Sequence, residues 1–404
     1  MAEKIIVTQV GSRHRYLIPQ ILEDNDKLYR FYTDSTTYSL IGRIANVLRT
    51  IGFKSPSINR LCKRKPDVSR ERLYSSDSLF RKQLLYKILR RSSYNQMLLT
   101  FTGISKDSIR WGVGEADCVY AMYFENIDFL HYAKSKGLKI VVDFYERPMT
   151  YKMLIEEIKS TPEFDVFRDS IIVYEKKHAI RMKYIEDILQ LADKYTVPSK
   201  HVLRSLAEFD SFDSSKAFLL PYPSSITPCG YNWKPIKHRV LFVGSDPINK
   251  GLLYCAKAAT QLKRAYPDLD FRVAGSGFDA IKELDTFKDL NFIGFLNKEQ
   301  LMNEFLSAEV FVFPTLFEGF AGVILEASSC GCPIITTENS GADPDEFPGI
   351  IIPEKDSQAI YDNVVKLFEN NELQQSLSIK LYKYAKVLHP EVYEKRLISL
   401  LDEV

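Results

Sequence analysis

Two glutamates eight positions apart offer the clearest chemistry in this sequence. Glu318 and Glu326 lie in the run P-T-L-F-E-G-F-A-G-V-I-L-E-A-S-S-C-G-C-P, residues 314–333. The apolar run Val310–Phe313 predicts a short buried strand, and residues 322–330 predict a helix that a glycine and a proline end. We therefore expect Glu318 on the strand-to-helix turn and Glu326 just over one turn into the helix.

Four residues form the predicted turn between these glutamates: Gly319, Phe320, Ala321 and Gly322. The N–H groups at the start of a helix bind phosphate well, and carboxylates on either side suit the hydroxyls of a sugar or a ribose. The same residues also fit a plain junction, with Glu318 near the positive end of the helix dipole and Glu326 in a salt bridge. The length and order of the whole string favour a binding site.

A second loop suited to phosphate precedes this one in the chain. In the run F-V-G-S-D-P-I-N-K-G, residues 242–251, a strand is predicted to end at Gly244 and a helix to begin near Gly251. Lys250 would place a positive charge where a diphosphate meets the helix N-terminus. A surface lysine on a connecting loop is the alternative, but the second phosphate-suited turn in the same predicted sheet favours function.

Composition bounds the class of protein. A length of 404 residues predicts about two to three domains, and the 45% hydrophobic and 26% charged content is ordinary for a globular chain. The net charge of +2 gives no global signal for nucleic acid, so no such partner is expected. No apolar stretch reaches the roughly 18 residues of a spanning helix, and the N-terminus has no signal-peptide pattern. We therefore expect a cytoplasmic protein, with peripheral contact at the inner face of the membrane as an option.

The cysteines fit reduced, structural thiols better than disulfides or a zinc site, because none forms a C-x-x-C pair. The six are Cys62, Cys118, Cys229, Cys255, Cys330 and Cys332. The last two flank a glycine at the predicted helix end, where a C-cap is the better interpretation than metal binding.

The second half alternates strands with helices, which predicts a parallel sheet covered on both faces, with ligands at the carboxyl ends of the strands. Strands are predicted at 240–243, 271–274, 291–295, 310–313, 333–336 and 349–352, and helices at 252–265, 299–307, 322–330, 357–371 and 391–403.

The first half is also predicted to be α/β, but it is less regular. Strands are predicted at 5–10, 117–122, 138–144, 195–198 and 218–221. A basic, helix-prone insertion lies between about residues 43 and 110, with its cations spread from Arg60 to Arg91. It is either a solvated helix face or a contact for an anionic membrane surface or a charged or lipid-linked acceptor. The stretch 221–230, rich in Pro, Ser and Gly, is the predicted domain boundary.

The string around Glu318 and Glu326 resembles the donor-site signature of the family-4 retaining glycosyltransferases, which have the GT-B fold. That resemblance implies an α/β chain with two Rossmann-like domains facing across a cleft. Residues 1–222 would bind the acceptor and residues 236–387 the donor, with a C-terminal helix of about 388–404 packing back on the first domain. It also implies that Glu318 addresses the transferred sugar and that Glu326 holds the ribose.

Three positions extend or depart from the family pattern. The loop before Lys250 commonly carries an arginine where this chain has Ser245, so Ser245 is at best a weak donor contact. Gly11 and Arg13 follow the first strand, where the family approaches the donor, and Arg13 is a candidate for the missing cation. Relatives often carry a histidine at the end of the strand that here reaches Asp143.

Arg147 occupies the comparable place to that histidine, with Asp143 nearby. Asp143 is a candidate base or acceptor contact, and a strand-end aspartate that caps a turn fits equally well. The expected reaction is retaining transfer from a UDP-sugar or GDP-sugar to a glycan or lipid-linked acceptor, without a required metal, in surface polysaccharide synthesis. A non-catalytic GT-B glycan-binding protein, a nucleotide-sugar epimerase, an inverting transferase and a glycan phosphorylase remain alternatives.

Overall fold

A computed structural model describes residues 2–53, 55–89, 102–226 and 230–404 of the chain. Three features predicted from the sequence lie partly outside these residues: Arg90 and Arg91 of the basic insertion, Cys229, and residues 227–229 of the expected domain boundary. The described part contains two parallel β-sheets, one of seven strands and one of six. No helix in the described ranges is both long and apolar enough to cross a membrane.

The first sheet has the strand order β3-β2-β1-β4-β5-β6-β7. Its strands are β1 Ile5–Gln9, β2 Leu28–Asp34, β3 Leu73–Ser76, β4 Cys118–Met122, β5 Lys139–Asp143, β6 Lys194–Val197 and β7 Ala217–Leu219. Because β1 pairs with both β2 and β4, the strand order reverses direction between β1 and β4. Such a switch point opens a crevice at the carboxyl ends of the two strands.

Nine helices accompany this sheet in the described residues: α1 Leu17–Asp24, α2 Leu40–Thr50, α3 Pro56–Cys62, α4 Ser78–Ile88, α5 Ser105–Trp111, α6 Ile127–Ser135, α7 Thr150–Ser160, α8 Ile171–Leu191 and α9 Lys200–Leu206.

The second sheet has the order β10-β9-β8-β11-β12-β13 and a switch point between β8 and β11. Its strands are β8 Arg239–Gly244, β9 Asp270–Gly275, β10 Asn291–Gly294, β11 Val310–Phe313, β12 Ile334–Thr337 and β13 Ile350–Ile352. The helices of this half are α10 Leu252–Ala265, α11 Lys298–Ser307, α12 Gly322–Ser329, α13 Ser357–Phe368, α14 Asn371–Val387 and α15 Pro390–Asp402.

The two halves share apolar cores at two places. The last helix, α15, packs on the first sheet, where its Leu397 and Leu401 lie in one cluster with Ile5. Conversely, Leu154 and Phe164 of the first half belong to the core of the second sheet. Each half therefore buries part of its apolar surface against the other.

The parallel sheet predicted for the second half is confirmed, with most boundaries within one or two residues. In the first half, β2 and β3 were not predicted. The strand β2 is buried along most of its length, so it lacks the alternation of a half-exposed strand. The strand β3 has only four residues and lies inside the basic insertion that was expected to be helical.

Candidate functional site

The switch point of the second sheet brings two loops together. The chain leaves β8 toward β9 on one side and returns to β11 on the other, so the loops after β8 and β11 meet at one sheet edge. They are residues 245–251 and residues 314–321. Ligands of open parallel sheets bind at this kind of crevice.

The loop after β8 is folded by its own side chains and by a glycine. The Asp246 carboxylate accepts from the N–H groups of Ile248 at 3.1 Å and Asn249 at 3.0 Å. Gly251 has φ +69°, and a Cβ there would lie 2.1 Å from the carbonyl oxygen of Pro314. Only glycine fits this contact, and it closes the first loop onto the second.

Lys250 and Glu318 meet in this crevice. The Lys250 ammonium forms an ion pair with Oε1 of Glu318, and the two side chains are 18% and 20% exposed. Burial lowers the pKa of Lys250 to about 8, and Asp246 partly opposes that shift. The lysine stem passes over Gly244, where a Cβ would lie 3.0 Å from Cγ of Lys250. The structure thus joins the predicted cation to the first predicted carboxylate.

Two helix N-termini begin at the crevice without a capping side chain. Helix α10 starts after Gly251 and α12 after Ala321, and neither helix has a side-chain hydrogen bond that caps its N-terminus. The other four helices of described residues 239–404 are capped by side chains, those of Asn297, Asp356, Asn370 and His389. The N–H groups of Leu252, Tyr254 and Ile324 donate to backbone carbonyls. No side-chain cap competes for the other first-turn N–H groups of α10 and α12.

The turn after Glu318 is held against the first half of the chain. A Cβ on Gly319 would lie 1.8 Å from the carbonyl oxygen of Tyr145. The Ser199 hydroxyl donates to the Gly319 carbonyl at 2.7 Å. On the other side, the N–H of Ala321 donates to the Ser340 carbonyl at 2.8 Å. The predicted turn is therefore fixed between the two halves.

Glu326, the fifth residue of α12, faces the segment that joins the two halves. The Ser225 hydroxyl donates to Oε1 of Glu326 at 2.5 Å. Burial raises the pKa of Glu326, while the Ser225 hydrogen bond and the charges of Arg15 and Lys298 oppose the rise. The carboxylate is thus half-buried and already accepts a hydrogen bond from an alcohol.

Gly11 and Arg13 form a turn after β1 that reaches the same region. Gly11 has φ +82° and donates its N–H to Asp34 at 2.8 Å. Arg13 lies 3.2 Å from Glu125, donates to the Tyr145 hydroxyl at 2.8 Å and stacks over that ring at 3.8 Å. Burial disfavours the charged guanidinium, but Tyr145 and Glu125 outweigh it and raise the pKa of Arg13. Because the Tyr145 backbone also borders the turn after Glu318, Arg13 approaches the crevice.

Asp143 is not brought to the crevice. Its side chain is 1% exposed and accepts from the Tyr222 hydroxyl at 2.8 Å. Burial raises the pKa of this carboxyl to about 6, although the Tyr222 hydrogen bond lowers it. The expected role as a base or acceptor contact does not suit a carboxyl enclosed in this way. Arg147 lies between the halves, where burial lowers its pKa and the charge of Glu354 opposes that shift.

Glu125 was not predicted as a site residue from the sequence. It follows β4 at the switch point of the first sheet, is 2% exposed and accepts from the Val10 N–H at 2.6 Å. Burial raises the pKa of Glu125 to about 7, and the Arg13 charge opposes the rise. Only the strand order identifies this position, and that order depends on the unpredicted β2.

A glycine loop after β9 was also missed. Gly275 has φ +140°, and a Cβ there would lie 1.6 Å from the Gly244 carbonyl oxygen. A Cβ on Gly277 would lie 2.8 Å from the carbonyl oxygen of Ser245. These glycines hold the backbone of Ser245, which is exposed at the crevice edge. The signal was available as Gly-Ser-Gly directly after a predicted strand.

Comparison with known proteins finds a family-model match in the second half of the chain. Residues 237–370 match the family model "Glycosyl transferases group 1". The chain is 29% identical over 153 residues to 2-deoxystreptamine N-acetyl-D-glucosaminyltransferase of Niallia circulans, covering 35% of this chain and 39% of that protein. It is 26% identical over 237 residues to alpha-D-kanosaminyltransferase of Streptomyces kanamyceticus, covering 54% and 60%. The chain therefore spans less than two thirds of these curated relatives.

The fold is similar to a solved structure over the full length of both chains. Anabaena Alr3699/HepE, in complex with UDP and glucose, superposes with a TM-score of 0.62 at 13% identity and covers 100% of each chain. This likeness confirms the predicted fold class: GT-B, two Rossmann-like α/β halves.

Proposed function

We propose that this chain is a hexosyltransferase that moves a sugar from a nucleotide-diphospho-sugar to a glycan or glycolipid acceptor, with retention of anomeric configuration. One observation carries the proposal: Lys250 and Glu318 meet at the β8/β11 switch point, between two helix N-termini without side-chain caps. The same segment matches the group 1 glycosyltransferase model.

The Lys250–Glu318 ion pair supports this assignment because each side chain compensates the charge of the other in a partly buried site. The lysine requires an anion, and the glutamate requires donors in a partly buried site. A donor sugar would supply both: its diphosphate would take the ammonium and the N–H groups of α10 and α12, and its sugar hydroxyls would take Glu318. These fixed donors would stabilise the charge that develops on the leaving diphosphate.

The contact of Ser225 with Glu326 supports a ribose site. An alcohol already donates to this carboxylate at 2.5 Å, and a ribose hydroxyl offers the same donor. The proposed donor contacts comprise Glu326, Gly11, Arg13, Ser245 and the turn Gly319, Phe320, Ala321 and Gly322. Both UDP-sugars and GDP-sugars fit these features, and the proposed reaction requires no metal.

In the proposed reaction, the acceptor hydroxyl oxygen bonds to the anomeric carbon while the bond from that carbon to the phosphate oxygen breaks. The acceptor proton passes to the leaving phosphate on the same face of the sugar. Lys250 and the helix N-termini carry the charge of the departing diphosphate. In this scheme Asp143 accepts a hydrogen bond from the Tyr222 hydroxyl. It does not take the acceptor proton, because its carboxyl is buried.

A cavity in the first half supports an acceptor site there. Its volume is about 270 Å³, and it opens beside the turn that carries Gly11. Polar and apolar side chains line it together: Asp34, Arg60, Arg64, Leu61, Leu79 and Phe80. The mixture of arginines and apolar side chains suits an acceptor with a charged group and an apolar part. A lipid-linked acceptor in surface polysaccharide synthesis is the proposed case.

The test is transfer by the purified chain from a panel of UDP-sugars and GDP-sugars, with the anomer of the product read by NMR. Lys250→Ala should lower turnover, and Glu326→Ala should weaken donor binding. Lys257→Ala is the matched control, because Lys257 lies on the same helix α10 but pairs with Glu163. Full activity in both crevice variants would contradict the site. An inverted product would contradict retention, and nucleotide binding without any transfer would favour a non-catalytic binding protein.

A further inference from the structure

Helix α2 has large apolar side chains on its solvent-exposed face. Its buried positions are the small residues Gly42 and Ala45. A Cβ on Gly42 would lie 1.8 Å from the Thr36 carbonyl oxygen, so the inner face sits directly on the backbone. Surface helices of globular proteins normally turn their large apolar side chains toward the core. In α2 only Ile41 and Leu48 are half-buried, and the other large apolar side chains are exposed.

The outward side chains form one stripe. Leu40, Ile44, Val47 and Ile51 follow each other at helical spacing and are 67%, 50%, 61% and 65% exposed. Phe53, just past the helix, is 62% exposed. A contiguous exposed apolar stripe of this kind marks a surface that is covered in function.

The chain segment that carries the stripe has basic residues and no acidic ones. Residues 35–66 contain seven Lys and Arg residues and no Asp or Glu. Of these cations, five have exposed side chains in the described part of the chain: Arg43, Arg49, Arg60, Lys63 and Lys65. A second copy of the chain would bring like charges together on this face, whereas an anionic surface would neutralise them.

Hydrogen bonds to Asp77, the residue after β3, fix the start of α2. The Asp77 carboxylate accepts from the Ser39 hydroxyl at 2.6 Å and from the Ile41 N–H at 3.0 Å. The Ser39 hydroxyl also caps the helix at Gly42. Helix α2 therefore starts close to the carboxyl end of β2, the edge at which the cavity beside Gly11 opens.

We propose that Leu40, Ile44, Val47, Ile51 and Phe53, the α2 face, insert into the interfacial layer of an anionic lipid bilayer. The apolar side chains enter the acyl boundary, while the neighbouring arginines and lysines contact anionic headgroups. Delivery of a lipid-linked acceptor to the cavity rests on the proposed function, but membrane binding by this face does not.

The test is co-sedimentation of the full chain with phosphatidylcholine vesicles, with and without phosphatidylglycerol. We expect binding to the anionic vesicles that weakens with salt. The variant Ile44→Gln/Val47→Gln/Ile51→Gln should bind them more than about tenfold more weakly. The control Val166→Gln/Ile172→Gln/Val387→Gln replaces three apolar residues that are 53%, 61% and 60% exposed elsewhere, and it should bind as the wild type does.

A second variant keeps the proposal testable if the first variant does not fold. Arg49→Gln/Lys63→Gln/Lys65→Gln changes exposed cations only and should weaken binding by about fivefold for each charge removed. Absence of vesicle binding by the wild type, or equal binding by all variants, would overturn the proposal. Self-association that the α2-face variant abolishes would overturn it in favour of a second copy. UDP and GDP binding is measured in parallel. Loss of vesicle binding alone would count against the membrane proposal, whereas loss of nucleotide binding would count against the proposed function.

Discussion

The charge of Lys250 gives the sharpest quantitative prediction. Burial lowers the pKa of this lysine to about 8, so the ammonium is lost as pH rises through that value. If diphosphate binding requires the ammonium, affinity follows its protonated fraction. That fraction falls about tenfold between pH 7 and pH 9. A charge-assisted hydrogen bond is worth about 1.5–3 kcal/mol, so its complete loss would lower nucleotide affinity roughly 10-fold to 150-fold. Nucleotide affinity should therefore still be falling at pH 9.

Replacement of Lys250 by arginine isolates this effect. The guanidinium stays charged over the whole range, so Lys250→Arg should change affinity less than about twofold between pH 7 and pH 9. The assay is calorimetric titration with UDP or GDP, whichever binds. The ratio of wild-type to Lys250→Arg affinity cancels the titration of the nucleotide itself. A ratio that stays constant with pH would refute the assignment of Lys250 as the titrating phosphate contact.

Three further predictions concern single side chains. Gly319→Ala should weaken nucleotide binding in calorimetry at least about tenfold, because its Cβ would lie 1.8 Å from the Tyr145 carbonyl oxygen. Wild-type affinity in this variant would contradict the close fit. Glu326→Gln should lower affinity for UDP or GDP by roughly tenfold or more, and unchanged affinity would remove the ribose contact. The pKa of Asp143, raised to about 6 from 3.8, gives a stabilising contribution that is full below pH 3.8 and lost as pH rises through about 6. Asp143→Asn should therefore gain stability relative to the wild type between pH 5 and pH 8, by about 1–2 kcal/mol in urea unfolding, and retain transfer. A pH-independent difference would contradict the burial argument.

The pairing of Lys250 with Glu318 could be predicted from the sequence because regular strand–helix alternation determines the sheet. Once β8 and β11 are recognised, their following loops must meet at one edge. The glycines and the missing helix caps are also visible as residue types. The turn against Tyr145 could not be predicted, because it depends on how the two halves pack.

Asp143 shows where strand-end reasoning fails. Successive side chains of a strand point to opposite faces, so the last residue of β5 points toward either a cleft or a core. Its side chain lies under Tyr222, a residue 79 positions away in the chain. Glu125 was hidden for a related reason, since only the order of β1, β2 and β4 reveals the first switch point. Long-range order, and not local pattern, decides both positions.

We infer that a nucleotide diphosphate binds at the β8/β11 switch point. The decisive experiment is hydrogen–deuterium exchange of the full chain, with and without a saturating nucleotide diphosphate. We expect slower exchange in peptides that contain residues 245–251 and 319–326, and no change in residues 185–191 of α8, whose buried side chains lie in the core of the first sheet. Binding that leaves both of those peptides unchanged, or that protects a different sheet edge, would contradict the claim.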